Sequence, residues 1–116
     1  MFFLIEQHPQ SGNGYQFRLM KNNRETILVS ETFATKVDCL VALDAARRSG
    51  VAATNYPLWD LAGNIRFNLF YGADNLLIGT IRYKTVEERD QALQEVVNKI
   101  AQVPARDEIS SLALAA

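Results

Sequence analysis

The sequence has 116 residues, of which 48% are hydrophobic and 22% are charged, and this composition is typical of a soluble globular protein with one domain. Its 12 basic and 13 acidic residues give a net charge of -1 and are spread along the chain, so no block of like charge favours binding to phosphate backbones or anionic lipid. The single cysteine, Cys39, cannot form an internal disulfide, so the fold does not require an oxidising compartment.

The opening segment MFFLIEQHPQ contains a short apolar stretch, FFLIE, which we predict to be the first strand. A secretion signal needs a longer apolar run that follows basic residues, and a membrane span needs about eighteen apolar residues. We therefore predict a cytoplasmic protein with no membrane partner.

A hairpin is predicted over residues 15–30. Tyr15, Phe17 and Leu19 alternate with polar residues, which is the period of a half-buried strand. The segment KNNRE is rich in residues that favour turns, and it leads into the apolar run TILVS.

A helix is predicted after this hairpin. Thr35 stands three residues before Asp38, a spacing that caps the first turn of a helix. The helix should end near RRSG, with Gly50 in a left-handed conformation. Its apolar stripe is predicted from the helical spacing of Cys39, Ala42, Leu43 and Ala46, widened by Leu40 and Val41.

The same pattern returns fifty residues later. Strand-like alternation at Ile65, Phe67 and Leu69 is followed by the turn-prone YGADN, the apolar LLIGT, and a helix that begins with Thr85 three residues before Glu88. The predicted stripe of this helix contains Val86, Leu93, Val96, Val97 and Ile100, and the helix should end before Pro104. A further strand is predicted in NYPLWDL, with pairing after Pro57.

This repetition predicts the architecture. A shift of fifty positions superimposes several identical residues, and a fixed period in this range indicates duplicated structural units. The identical pairs are Phe17 with Phe67, Leu19 with Leu69, Thr35 with Thr85, Ala42 with Ala92 and Leu43 with Leu93. One three-stranded unit with one helix buries its apolar face only marginally, so two units should share a core.

We predict an α+β domain over residues 1–103, in which two tandem β-β-β-α units, at about 2–50 and 55–101, form one mainly antiparallel sheet. Two helices should pack on one face with pseudo-two-fold symmetry, and residues 104–116 should form a C-terminal tail.

The first unit also resembles a known repeat. The run FRLMKNNRETILVSETFATKVDCLVALDAARRS is similar to the repeat of the YegP-like family, small bacterial proteins of unknown function, and RFNLFYGADNLLIGTIRYKT is similar to its second copy. The resemblance covers about residues 2–101. It implies a single sheet with the strands after the helices exchanged between the halves, and either a monomer with internal pseudo-symmetry or a weak homodimer. It supplies no catalytic residue.

The resemblance has two departures in the hairpin turns. The family usually has Gly after an Asn, whereas Arg24 follows Asn23 here, and Ala73 stands where the second unit should have that Asn. Glycine relieves a left-handed backbone penalty of about 1 kcal/mol. We therefore expect these turns to adopt another geometry.

Few residues point to reaction chemistry. Cys39 lies on the predicted apolar face of a helix, so we interpret it as a buried structural thiol. His8, the single histidine, lies in a predicted turn and is interpreted as a solvated residue, because metal sites need several converging ligands. Glu87 and Glu88 suit the start of a helix. We predict no enzymatic activity, no metal and no cofactor.

The remaining class is a binding module. Gln16, Arg18, Arg66 and Asn68 point away from the predicted core, and pseudo-symmetry would gather them on one face of the sheet. Arg18, Arg66 and Asn68 are the candidate binding residues, for an acidic peptide, a nucleic acid or a small anion; the alternative is that they are ordinary solvated positions. We predict a non-enzymatic interaction module whose partner is a protein or peptide, with nucleic-acid binding through the polar sheet face as the rival function.

Two points stay open in the sequence. The exposure of Trp59, Phe70 and Tyr71 is not decided, and exposed aromatics beside Arg18 and Arg66 would favour single-stranded nucleic acid. The tail either frays or docks on the body through its apolar residues, Ile109, Leu112 and Leu114. Its final LAA resembles a C-terminal signal selected by bacterial proteases, which makes degradation targeting a further hypothesis.

Overall fold

A computed structural model describes residues 1–7, 14–72 and 75–108 of the chain. Within these ranges the chain forms eight strands and two helices, with short 3-10 turns at 53–55 and 100–102. In chain order they are β1 (Phe2–Gln7), β2 (Tyr15–Met20), β3 (Thr26–Val29), α1 (Lys36–Ser49), β4 (Leu58–Leu61), β5 (Asn64–Phe67), β6 (Leu69–Phe70), β7 (Leu76–Gly79), α2 (Val86–Lys99) and β8 (Ala105–Asp107). None of the helices in the described ranges is long and apolar enough to cross a membrane.

The strands form a six-stranded sheet and a separate two-stranded ribbon. The sheet has the order β6-β7-β3-β2-β1-β8, in which β8 pairs parallel to β1 and every other neighbour pairs antiparallel. The ribbon consists of β4 and β5. The predicted α+β class with two helices and a mainly antiparallel sheet is confirmed. The prediction that all strands share one sheet is wrong. Residues 105–107, at the start of the predicted tail, form β8.

Asn68 explains why the ribbon leaves the main sheet. It interrupts the extended segment between β5 and β6, and its N–H donates to the carbonyl of Pro57 at 3.1 Å. Its side-chain oxygen accepts the N–H of Gly79 at 2.8 Å. A Cβ on Gly79 would lie 1.9 Å from the carbonyl oxygen of Phe67, so this close crossing requires glycine. The chain therefore pairs with β4 before Asn68 and with β7 after it.

β3 and β7 pair at the middle of the main sheet, where they join the first half of the chain to the second. Leu28 pairs with Gly79, and Val29 pairs with Ile78. Ile78 and Gly79 stand fifty positions after Leu28 and Val29 in the sequence, so the pairing is reciprocal. Isolated bridges also recur at this spacing, between Tyr15 and Phe33 and between 65 and 83.

Both helices begin as predicted. The hydroxyl of Thr35 accepts the N–H of Asp38 at 3.1 Å, and the hydroxyl of Thr85 accepts the N–H of Glu88 at 3.1 Å. Each cap satisfies a donor that the first helical turn leaves unpaired.

The end of α1 differs from the prediction. Gly50 has a φ of -71°, so the expected left-handed conformation is wrong. Glycine is required there for a different reason, because a Cβ would lie 2.6 Å from the side chain of Ile100. The C-terminal ends of the two helical segments therefore meet at a position that has no room for a side chain.

The first hairpin turn contains a left-handed arginine. Arg24 has a φ of 69°, a conformation that favours glycine, and its N–H donates to the carbonyl of Lys21 at 2.9 Å. The guanidinium of Arg24 pairs with Glu108 at 3.1 Å. Arg24 thus takes a left-handed conformation at the position where the family usually has glycine. Ala73, the other departure, lies outside the described residues.

The main core contains buried side chains from both helices, from the sheet and from the ribbon. Its largest fully buried members are Phe3, Phe17, Leu19, Leu28, Phe67, Leu69, Leu77 and Ile100. Two stacked aromatic pairs repeat at the fifty-residue spacing, with ring centroids 6.3 Å apart for Phe17 with Phe33 and 5.9 Å apart for Phe67 with Tyr83. A second, smaller cluster, formed by Phe2, Leu4 and Met20, lies on the other face of β1 and β2.

Candidate functional site

The three binding residues proposed from the sequence all make contacts within the protein. Arg18, on β2, donates to Glu6 at 2.6 Å and to Thr26 at 3.3 Å. Arg66, on β5, donates to Asn64 and to Asn68, both at 3.0 Å. Arg18 and Arg66 therefore lie in different sheets, and Asn68 is 2% exposed and accepts two hydrogen bonds at the strand break.

The three aromatics left open by the sequence differ in exposure. Phe70 is exposed, Tyr71 is buried and Trp59 is half-buried. The guanidinium of Arg66 lies 4.2 Å from the centroid of the Trp59 ring, which is a cation–π contact. An aromatic ring and a cation are therefore combined on the ribbon. On the main sheet, the guanidinium of Arg106 lies 4.0 Å from the ring centroid of Phe2, but that ring is only 1% exposed.

The cysteine has the buried position that was predicted. Cys39 is fully buried, and burial raises the pKa of its thiol to about 11, with the Asp107 carboxylate adding to the effect. A thiol with such a pKa is a poor nucleophile near neutral pH. Within the described ranges, no group of three His, Cys, Asp or Glu residues could hold a metal. His8 lies outside the described ranges.

The N-terminal half of the exposed face of α1 contains three apolar residues, and this was not predicted. Val37 is 68% exposed, Val41 is 62% exposed and Leu40 is 42% exposed. The expectation that Leu40 and Val41 widen the buried stripe is wrong, because the small residues Ala42 and Ala46 hold α1 close to the core and leave its outer face in solvent.

The second helix provides an internal comparison for this face. Fifty residues after Val37, Leu40 and Val41 stand Glu87, Asp90 and Gln91, and all three are exposed. Polar side chains are the usual choice on the solvent face of a helix. The solvent faces of the two helices thus differ in chemistry at these three places.

A groove of about 310 Å³ lies beside the apolar face of α1, between this helix and the hairpin of the second half. We call it the α1 groove; its lining includes Glu31, Phe33, Asp38, Val41, Ala45 and Tyr71. The hydroxyl of Tyr71 donates to the carboxylate of Glu31 at 3.4 Å, and burial, with Glu31 beside it, raises the pKa of Tyr71. The aromatic rings and the aliphatic side chains give this groove an apolar surface with carboxylates at its edge.

A second groove, of about 270 Å³, lies beside α2 and contacts the hairpin of the first half. We call it the α2 groove; its lining includes Lys21, Asn22, Ile27, Tyr83, Ala92 and Glu95. Lys21, Tyr83, Ala92 and Glu95 stand fifty positions from Tyr71, Phe33, Ala42 and Ala45 of the α1 groove. Each groove therefore combines the helix of one half with the hairpin of the other.

The two grooves differ in charge. In the α2 groove, Lys21 pairs with Glu25 at 3.0 Å and Glu95 pairs with Lys99 at 3.2 Å. In the α1 groove, Glu31 and Asp38 take part in no ion pair within residues 1–7, 14–72 and 75–108, and no Lys or Arg is among the lining residues. The α1 groove thus combines exposed apolar side chains with unneutralised carboxylates.

Comparison with known proteins identifies a matching family model and two solved structures with a similar fold. Residues 11–56 match a family model described as a domain of unknown function, DUF1508. The solution NMR structure of YegP from E. coli, a protein of unknown function, is similar with a TM-score of 0.74 and 24% identity, over 91% of this chain and 90% of that one. The resemblance to the YegP-like family is confirmed. A UPF0339 protein from Shewanella oneidensis has the same YegP-like fold, with a TM-score of 0.73 and 20% identity over 91% and 89% of the two chains. No curated protein sequence matches this chain.

Proposed function

We propose that this YegP-like protein is a non-enzymatic binding module that holds a peptide segment of a partner protein in the α1 groove. The observation that carries the proposal is the exposed apolar face formed by Val37, Leu40 and Val41. Exposed apolar side chains that are contiguous and border a groove are typical of interaction surfaces. The polar residues at the equivalent places in α2 support a specific role for this face, because the fold itself accommodates charges there.

We further propose that the two halves act as a pseudo-two-fold pair within one chain. The reciprocal pairing of β3 with β7 supports this symmetry, as do the two grooves that each combine parts of both halves. In such a pair, one groove can retain a structural role while the other changes its lining. The α1 groove would then be the member of the pair that binds a partner.

Selection from a library of random heptapeptides displayed on phage tests this function. The key variant carries Val37→Glu, Leu40→Asp and Val41→Gln, which gives α1 the side chains that α2 has at these places. A matched control carries Glu87→Gln and Gln91→Glu on the exposed face of α2. We expect peptides that bind the wild type and the control but not the key variant. Selected peptides that bind all three proteins equally, or a failure to select any, would reject the α1 groove as the binding site.

Nucleic-acid binding is the second candidate, and the contact of Arg66 with Trp59 favours it. Stacking on aromatic rings beside cations is how many proteins hold single strands. The Glu6 carboxylate beside Arg18 opposes it, since it reduces the positive charge that a phosphate backbone would meet. Gel-shift titration with single-stranded DNA and RNA at two salt concentrations distinguishes the candidates, because phosphate contacts predict binding that weakens steeply with salt.

A further inference from the structure

We infer that the α1 groove selects a peptide segment in which apolar side chains are flanked by Lys or Arg. This inference rests on the proposed binding function and specifies its ligand class. It follows from three properties of the groove: its size, its apolar surface and the sign of its charge.

The size and surface of the groove fit a small number of aliphatic side chains. A volume of about 310 Å³ is at the lower end of the range for ligand sites. Phe33 and Tyr71 offer ring surfaces, and Val41 lies at the edge with more than half of its surface exposed. Val37 lies one helical turn before Val41 on the same side of α1, so the apolar surface extends along the helix. A short segment with two neighbouring leucines, in a conformation that places both side chains on one side, would cover it.

The charge of the groove indicates what should flank those side chains. Glu31 precedes α1 and Asp38 lies in its first turn, so the two carboxylates come from different parts of the lining. The helix dipole alone explains an acid at 38, but it does not explain Glu31. The nearby Lys36 is paired with Asp107 and is not among the lining residues. A ligand with cationic groups would neutralise these two carboxylates, which pair with no Lys or Arg in the part of the chain that the structure describes.

The α2 groove shows that the fold does not require this charge. There, lysines of the protein itself neutralise the neighbouring carboxylates Glu25 and Glu95. Like charges placed together cost free energy, so an acidic segment should be repelled from the α1 groove and a basic one attracted. Charge complementarity therefore distinguishes a basic partner segment from an acidic one.

Three synthetic peptides test the inference: acetyl-KLLK-amide, acetyl-SLLS-amide and acetyl-ELLE-amide. Binding is followed by NMR through the amide signals of residues 37–45 and, as the internal reference, those of 87–95. We expect the KLLK peptide to shift signals of 37–45 only and to bind at least about fivefold more tightly than SLLS, since each exposed charge pair contributes a factor of about two to five. ELLE should bind most weakly, and added salt should reduce the preference for KLLK.

Charge-neutralising variants complete the test. Asp38→Asn and Glu31→Gln should each weaken KLLK about two- to fivefold and leave SLLS unchanged, while the control Glu88→Gln in α2 should alter neither. Equal binding of KLLK and SLLS at the α1 groove would overturn the inference and leave the proposed function standing. Binding of KLLK at 87–95, or an equal effect of Glu88→Gln, would also overturn it. If none of the peptides shifts 37–45 and the phage selection also fails, the proposed function itself is rejected.

Discussion

The first turns of the two helices have different buried side chains at equivalent positions: an apolar thiol in α1 and a charged guanidinium in α2. Cys39 in α1 and Arg89 in α2 are fifty residues apart, and they are 0% and 2% exposed. The thiol packs in the core, whereas the guanidinium donates to the carbonyl of Trp59 at 3.1 Å and pairs with Asp60 and with Asp90. A charged group that is buried needs such partners.

This difference shows that the two helices make different contacts at this place. In the second half, Arg89 joins α2 to the ribbon through contacts with Trp59 and Asp60, and these contacts hold β4 against the helix. In the first half, β1 belongs to the main sheet and needs no such link. Asp90, which pairs with Arg89, has Leu40 as its counterpart in α1, and it is on this exposed side of α1 that we propose binding.

The largest expected effect is at the crossing that separates the ribbon from the main sheet. Gly79→Ala should destabilise the protein by about 3 kcal/mol or prevent folding, because the new Cβ would collide with the carbonyl of Phe67. The equivalent change in the first half, Val29→Ala, should cost only about 1 kcal/mol, since Val29 is half-buried. Urea unfolding measures both. Equal losses would mean that the two halves do not differ at this crossing.

Removing Arg89 should have the next largest effect. Arg89→Leu leaves the carbonyl of Trp59 without its donor and should cost about 2 kcal/mol, and amide hydrogen exchange should increase over residues 58–67. Cys39→Ala should cost about 1 kcal/mol and should leave exchange in the ribbon unchanged. Faster exchange in the ribbon of the Cys39 variant would contradict the assignment of this link to α2.

Alkaline pH should destabilise the protein, mainly through buried tyrosines of the second half. Burial raises the pKa of Tyr83 to about 12, and it raises the pKa of Tyr56 and of Tyr71 as well. The unfolded chain loses these protons near pH 10, and it loses the proton of the Cys39 thiol near pH 9, while the folded chain keeps them. Stability should therefore begin to fall above about pH 9 and should fall more steeply above about pH 10. Circular dichroism and tyrosinate absorbance, followed together, measure this.

Tyr83→Phe sharpens the comparison, because Phe33 is already the equivalent residue in the first half. This variant should lose less stability above pH 10 than the wild type. Tyrosinate absorbance that develops fully before any loss of structure would show that ionisation of the buried rings is not coupled to unfolding.

The smallest effects should come from the helix caps, where the halves are alike. Thr35→Ala and Thr85→Ala should each cost about 1 kcal/mol, because each removes one acceptor for an N–H of the first turn. The two sites are far apart in sequence and share no hydrogen-bond partner, so the double variant should lose the sum to within about 0.5 kcal/mol. Thermal unfolding measures these losses of stability. A markedly larger loss in one single variant than in the other would reveal a difference between the helix starts.

Local patterns in the sequence predicted the local structure well. Strand alternation at Tyr15 and Phe17, and the Thr35 and Thr85 caps, depend on neighbours within a few residues, so they can be read from the chain. The turn at Arg24 was harder to predict, because contacts as distant as Glu108 accompany its left-handed conformation.

Long-range contacts were not visible in the sequence. The ribbon depends on the hydrogen bond between Asn68 and Gly79, which are eleven residues apart. β8 forms because residues 105–107 pair with the edge of β1.

The α1 groove was missed because helical periodicity places Val41 near the stripe, and only the packing of the small residue Ala42 shows which part of that surface stays in solvent. The sequence did contain one signal for this groove. Val37 and Val41 of α1 stand where α2 has the polar residues Glu87 and Gln91.

The contact between Gly50 and Ile100 makes the halves mutually dependent. These residues stand at equivalent ends of the two helical segments, and one has no side chain where the other has a branched one. Two copies of the first half would leave a void at this junction, while two copies of the second would overlap there. A chain built by repeating either half should therefore assemble poorly, and gene fragments that encode the halves should recover the fold only when they are expressed as an unlike pair.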